Sequence, residues 1–136
     1  MGIIFVAYGD SEGRFDVLEF AVDQSASSDH DLLIYHILES PETSAKTVRT
    51  EIEQAMERMN PYIVYDIRID ELADRSTGSG ETKSERIVDA ISQPTQSFEY
   101  VVMGEIQRGP IESLTHSSLT RAVLKEGDVP VMLVPI

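Results

Sequence analysis

Apolar residues along this chain fall into short, nearly unbroken runs, separated by segments in which they recur every three or four positions. The first run, Ile3 to Tyr8, is bounded by Gly9 and Asp10, as expected of a strand buried on both faces of a parallel sheet. Phe15, Leu18 and Val22 then stand at helical spacing, with Asp10 or Ser11 placed to cap that helix and the polar cluster Ser25 to Asp31 to end it. Leu32 to Leu38 reads as a second buried strand. Beyond Pro41 and Thr43, Val48, Ile52, Ala55 and Met59 form one stripe of a second helix, while Arg49, Glu53, Glu57 and Arg58 face outward; Asn60 and Pro61 stop it.

Tyr62 to Ile69 behaves differently, because Ile63, Tyr65, Ile67 and Ile69 alternate with Val64, Asp66 and Arg68. That alternation predicts a half-exposed strand near a sheet edge. Asp70 to Gly80 is polar and rich in Gly, Ser and Thr, and reads as a mobile loop. Thr82 and Glu85 have capping-box spacing ahead of a short helix with Ile87, Val88 and Ile91 on its apolar side, closed by Pro94. Phe98 to Met103 predicts the fourth strand, Ser118 to Glu126 the last helix and Val129 to Val134 the fifth strand. The alternation of strands and helices over residues 1–136 predicts one domain: a three-layer α/β/α fold on a five-stranded parallel sheet with right-handed crossovers.

In such sheets ligands sit beyond the carboxyl ends of the strands. The stretch Tyr100 to Leu124 therefore carries the candidate chemistry. Its strand breaks at Gly104, a polar loop follows with Arg108, Gly109 and Pro110, and Ser117 and Ser118 open a helix whose unpaired N–H groups favour an anion.

Charge narrows the partners. With 24 acidic and 11 basic residues the formal net charge is −13, which repels nucleic acid and anionic membranes at long range. Lysine is confined to Lys46, Lys83 and Lys125; a surface so acidic and lysine-poor resembles those of proteins from salt-loving organisms, where salt screens the self-repulsion. Absence of cysteine rules out disulfides and thiolate chemistry. The apolar runs are far shorter than the ~20 residues a bilayer span needs, and no basic region precedes an apolar one at the amino end, so a cytoplasmic location is expected.

VVMG before the loop, Arg108 within it, VPVMLVPI at residues 129–136 and the opening IIFVAYGDSEGR together resemble the universal stress protein family over nearly the whole chain. The resemblance implies strand order 3-2-1-4-5, an adenine-nucleotide alpha-hydrolase-like fold, and a switch point that brings Gly9 and Asp10 beside Gly104. Nucleotide-binding members carry glycine, two residues, glycine, nine residues, then glycine with serine or threonine. Here Gly104 keeps the first position, Gln107 stands at the second glycine, Ser117 and Ser118 fill the final pair, and the family's aspartate position reads Gly9.

Carried over by position, Ala7, Tyr8 and Gly9 border the adenosine, Ile37 lies beside the base, and Met103 and Gly104 lie beneath the ribose and phosphates. Ser117, Ser118 and Leu119 meet the phosphates, with Gln107 donating and Arg108 supplying charge. The plainer alternative makes Ser117 or Ser118 a helix N-cap and Asp10 a cap of the first helix. Side chains at Gln107 and Ser117, where bare backbone suits phosphate, favour weak or no ATP binding.

No residue is assigned a catalytic role. His36 reads as a hydrogen-bonded core imidazole, His30 lies in a polar turn, His116 adjoins the serine pair, and no nucleophile elbow or metal-ligand spacing is present. Magnesium enters only with a bound ATP or AMP. The apolar, proline-bounded 129–136 strand suits edge-to-edge pairing in the two-fold dimer that the resemblance implies. The reading is thus a homodimeric, non-catalytic stress-response module. Its rivals are an ATP- or AMP-binding member with slow hydrolysis, and a hydrolase or electron-transfer-flavoprotein-like domain on the same scaffold.

Overall fold

A computed structural model describes residues 2–39, 44–72, 82–93, 96–105, 118–126 and 129–136, with the side chains of residues 118 and 126 left undescribed. Its elements are β1 (Ile3–Ala7), α1 (Arg14–Ser28), β2 (Asp31–Leu38), α2 (Ala45–Met59), β3 (Tyr65–Glu71), α3 (Lys83–Ile91), β4 (Tyr100–Glu105), α4 (Ser118–Glu126) and β5 (Val131–Pro135). The strands form one parallel sheet in the order β3-β2-β1-β4-β5.

Period-two alternation sorts the strand side chains into two cores. Ile4, Val6, Leu32, Ile34 and Val102 face α1 and α2, whereas Phe5, Leu33, Tyr35, Val101 and Met103 face α3 and α4. The three inner strands are therefore apolar on both faces. Edge strand β3 buries only Ile67 fully, with Tyr65 and Ile69 packed beside it on the α2 side.

Several boundaries differ from the sequence expectation, each for a local reason. Neither Asp10 nor Ser11 caps α1. The chain first makes a turn in which Arg14 N–H reaches Ser11 O at 3.1 Å, so Gly13 becomes the N-cap and no side chain caps the helix. At the other end α1 stops inside the polar cluster Ser25 to Asp31, as expected: the helix runs to Ser28, and Asp29 ends it at φ 60°, a left-handed conformation that aspartate tolerates.

On α2, Met56 rather than Met59 completes the fully buried stripe, and the helix begins at Ala45 behind an N-cap at Ser44. Pro41, Thr43 and Pro94 lie outside the described residues. β3 starts at Tyr65, leaving Tyr62 90% exposed, and it continues through Asp70 and Glu71, which the sequence assigns to the loop; the rest of that loop, 73–80, lies outside the described residues. Asp70 is drawn into the strand by the partners described below. Thr82 forms half of the expected box: its Oγ1 accepts from Glu85 N–H at 3.2 Å, but its hydroxyl donates to the Glu85 carboxylate at 3.1 Å, so that carboxylate is turned to the side chain rather than to the Thr82 N–H. Phe98 buries its ring before β4 begins, and β5 begins only after Pro130, whose carbonyl accepts from Val101 N–H at 2.8 Å.

Candidate functional site

Strands β1 and β4 are adjacent, and their connecting helices leave toward opposite faces. A cleft of about 370 Å³ opens at that point, beyond the carboxyl ends of the strands. Ala7, Ile37, Met103 and Leu119 give it an apolar lining, and Gly9, Asp10 and Gly104 border it as the sequence predicts. Tyr8 borders it too, but its ring belongs to the α1/α2 core and its hydroxyl donates to Glu51. Gln107, Arg108 and Ser117 lie outside the described residues; Ser118 is the first residue of α4.

Asp10 holds a position other than a helix cap. Its carboxylate lies 3.6 Å from His36 Nε2 on one side and 3.7 Å from Lys83 Nζ on the other, and Lys83 also reaches Glu39 Oε1 at 3.4 Å. His36 is buried as expected, with Nδ1 at 2.7 Å from Tyr8 O. Because a carbonyl only accepts, Nδ1 carries the proton. A smaller cavity, about 140 Å³, adjoins this pair and is bordered by Thr47 and Glu51.

Arg14, at the start of α1, is committed to protein partners. Its Nε donates to Glu51 Oε1 at 2.8 Å, Nη2 to Oε2 at 3.3 Å and Nη1 to Ser11 O at 2.8 Å. The hydrogen bond from Arg14 holds the Glu51 carboxyl below its usual range, and burial, then the bond to Glu51, pushes the Tyr8 phenol up.

The far end of the cleft is partly filled. Ile136 N–H donates to Glu105 O at 3.0 Å, which folds the isoleucine over Gly104. A Cβ on Gly104 would meet Ile136 Cδ1 at 2.7 Å and Val17 Cγ2 at 3.0 Å, so glycine is needed here for packing by the chain's own side chains. At Gly9, by contrast, a Cβ would meet nothing within 4 Å. Glu105 extends its carboxylate to the first turn of α4, accepting from Thr120 Oγ1 at 2.5 Å.

Sequence reasoning did not single out Glu39, Lys83, Glu105, Arg14 or Ile136 as cleft residues. A signal for some of them existed: in a parallel α/β sheet each helix begins at the carboxyl edge, so first-turn cations such as Arg14 and Lys83 face the ligand edge.

A parallel sheet of order 3-2-1-4-5 with a cleft at its switch point defines an α/β domain of the doubly wound kind. The chain belongs to the universal stress protein family, whose model matches residues 1–135. Comparison with curated proteins gave no match. Among solved structures, a universal stress protein from Archaeoglobus fulgidus DSM 4304 superposes with TM-score 0.71 at 18% identity over 97% of this chain; the chain spans 44% of that relative's length. An Archaeoglobus fulgidus universal stress protein in complex with dAMP gives TM-score 0.60 at 17% identity, covering 98% of this chain and 96% of its own. An Arabidopsis thaliana family protein with AMP bound gives 0.60 at 14%, covering 99% and 92%. At such identities the likeness establishes the fold.

Proposed function

We propose that this chain is a cytoplasmic, homodimeric, non-catalytic stress-response module whose cleft holds ATP weakly or not at all. One observation carries the reading: the Glu105 carboxylate reaches the amino-terminal turn of α4. That is where a helix dipole and unpaired amides favour a phosphate, so a phosphate arriving there meets a charge of its own sign. Titration calorimetry with MgATP tests it. Little or no heat is expected at micromolar concentrations; micromolar affinity that drops on Ser118→Ala overturns the proposal. The rival, an ATP- or AMP-binding member with slow hydrolysis, draws on the placement of the cleft at Gly104 and on the relatives bound to AMP and dAMP. The same titration decides between them.

Dimerisation is proposed through β5, an edge strand whose Met132 is 38% exposed. Light scattering should give a mass near twice 15.2 kDa, falling to one chain for Met132→Lys; a wild-type monomer at every concentration sinks the idea. The net charge of −13 supports adaptation to high salt, so the melting temperature should rise as KCl goes from millimolar to molar. A maximum at low salt would contradict it. Among the described residues no helix is long and apolar enough to cross a membrane.

A further inference from the structure

The two edges of the sheet, β3 and β5, are finished differently. At β3, Leu32 N–H donates to Val64 O at 3.1 Å, so the peptide groups of Val64, Asp66 and Arg68 turn toward β2, and those of Tyr65, Ile67 and Ile69 turn away from the sheet. A row of outward-turned peptides is a template for a further strand. Its surroundings sharpen that liability, because Tyr62 and Val64 stand exposed just before the strand and add apolar side chains to the same edge.

In the middle of that row both peptide groups of Ile67 are already taken. Its N–H donates to Asp66 Oδ1 at 2.9 Å, and its carbonyl accepts from Arg49 Nη2 at 3.4 Å. The first bond has ordinary length and the second is long, so the carboxylate is the stronger half. Arg49 comes from α2, on the face where Ile67 packs, and Asp66 stands on the opposite face of the strand. Both residues are exposed, so neither is placed by burial in the core. A strand approaching Ile67 has to displace an acceptor from the N–H and a donor from the carbonyl before it can pair. On β5, Val101 N–H donates to Pro130 O at 2.8 Å and Ile136 N–H to Glu105 O at 3.0 Å. Val131, Leu133 and Pro135 therefore face outward there, and the first two still offer an N–H.

We propose that Asp66 and Arg49 form a cap that shuts the β3 edge against strand pairing with a second copy of this chain. With both edges open, two different two-fold contacts would join molecules into an unending row; with β3 shut, pairing at β5 closes on itself. The cap uses no residue of the cleft, so it holds whether or not a nucleotide binds.

Light scattering on the full chain tests the cap, at raised KCl so that the net charge of −13 does not mask association. Wild type is compared with Asp66→Ala, Asp66→Asn and the double variant Asp66→Ala with Arg49→Ala. Asparagine keeps a carbonyl oxygen able to accept from Ile67 N–H and alanine does not, while both remove the same charge. Asp66→Ala should gain mass on concentration, its average roughly doubling over about a tenfold rise in concentration. The double variant should gain more, and Asp66→Asn should track wild type. Circular dichroism and melting curves establish that each variant is folded. A mass for Asp66→Ala equal to that of wild type at every concentration overturns the inference. So does association of Asp66→Asn as strong as that of Asp66→Ala, which would make the lost charge the cause. If wild type is a monomer and Asp66→Ala a dimer, the dimer through β5 falls and the cap stands; if wild type and every variant are dimers, the cap falls and that dimer stands.

Discussion

Replacing Asp70 by alanine is expected to lower stability by about 3 kcal/mol, near the lower end of the range for removing one partner from a buried ionic cluster. Asp70 Oδ2 is shared by three donors: Tyr35 Oη at 2.8 Å, Arg86 Nη2 at 2.9 Å and Arg68 Nη2 at 3.1 Å. Its side chain is 16% exposed, against 35% and 25% for the two arginines. The substitution therefore removes the carboxylate that both guanidinium groups share. Tyr35 loses the acceptor for its hydroxyl within the core. For a domain of this size the melting temperature should drop by roughly 10 °C. A change under about 1 kcal/mol would mean that water satisfies the arginines and that the cluster contributes little.

The same carboxylate makes stability depend on pH. Burial alone raises the Asp70 pKa, but hydrogen bonds from Tyr35 and Arg68 and the charges of both arginines outweigh it, so the folded-state value lies below the usual one. Glu51 is lowered too, first by its hydrogen bond to Arg14. A folded pKa below the unfolded one means the unfolded chain binds more protons, so stability increases with pH through this range. The contribution is complete above the unfolded carboxylate values of about 4 and is lost as pH falls through the folded ones. Denaturant melts of wild type between pH 6 and pH 3 should show this loss, and Asp70→Asn should flatten it. An unchanged acid slope in the variant would place the titrating groups elsewhere.

How much of this was legible in the chain depends on whether a feature follows from local pattern or from convergence. The unbroken run at Ile3 and the helical stripe at Val48 fix element type, because burial on both faces or on one face leaves its own period. Gly104, Asp10 and Ile37 were reachable as well, since strand order alone brings β1, β2 and β4 together at the switch point. The plug was not. Ile136 closes over Gly104 only because β5 pairs with β4 in the register Gly104 to Val134, which carries the isoleucine past the glycine. Asp70 failed for a related reason: its composition suits a loop, and its three partners come from β2, β3 and α3.

Phe5→Ala should be the most damaging single change described here, costing about 4 kcal/mol and roughly 12–20 °C in melting temperature. Phe5 is completely buried on the central strand, and its ring lies 5.2 Å from both Tyr35 and Phe98, edge-on to the latter. Truncation opens a cavity beneath the cleft and removes the packing that holds Tyr35 against Asp70. The two sites are therefore coupled through Tyr35. In a double-mutant cycle with Asp70→Ala the losses should fail to add by more than about 0.5 kcal/mol, as for residues sharing a partner. The combined variant should be less unstable than the sum, because a tyrosine already loosened by the missing ring can turn its hydroxyl to water once Asp70 is gone. Additivity within about 0.3 kcal/mol would show the aromatic cluster and the ionic cluster to be independent. Phe5→Leu, which refills most of the space, should recover more than half of the loss and keep the coupling small.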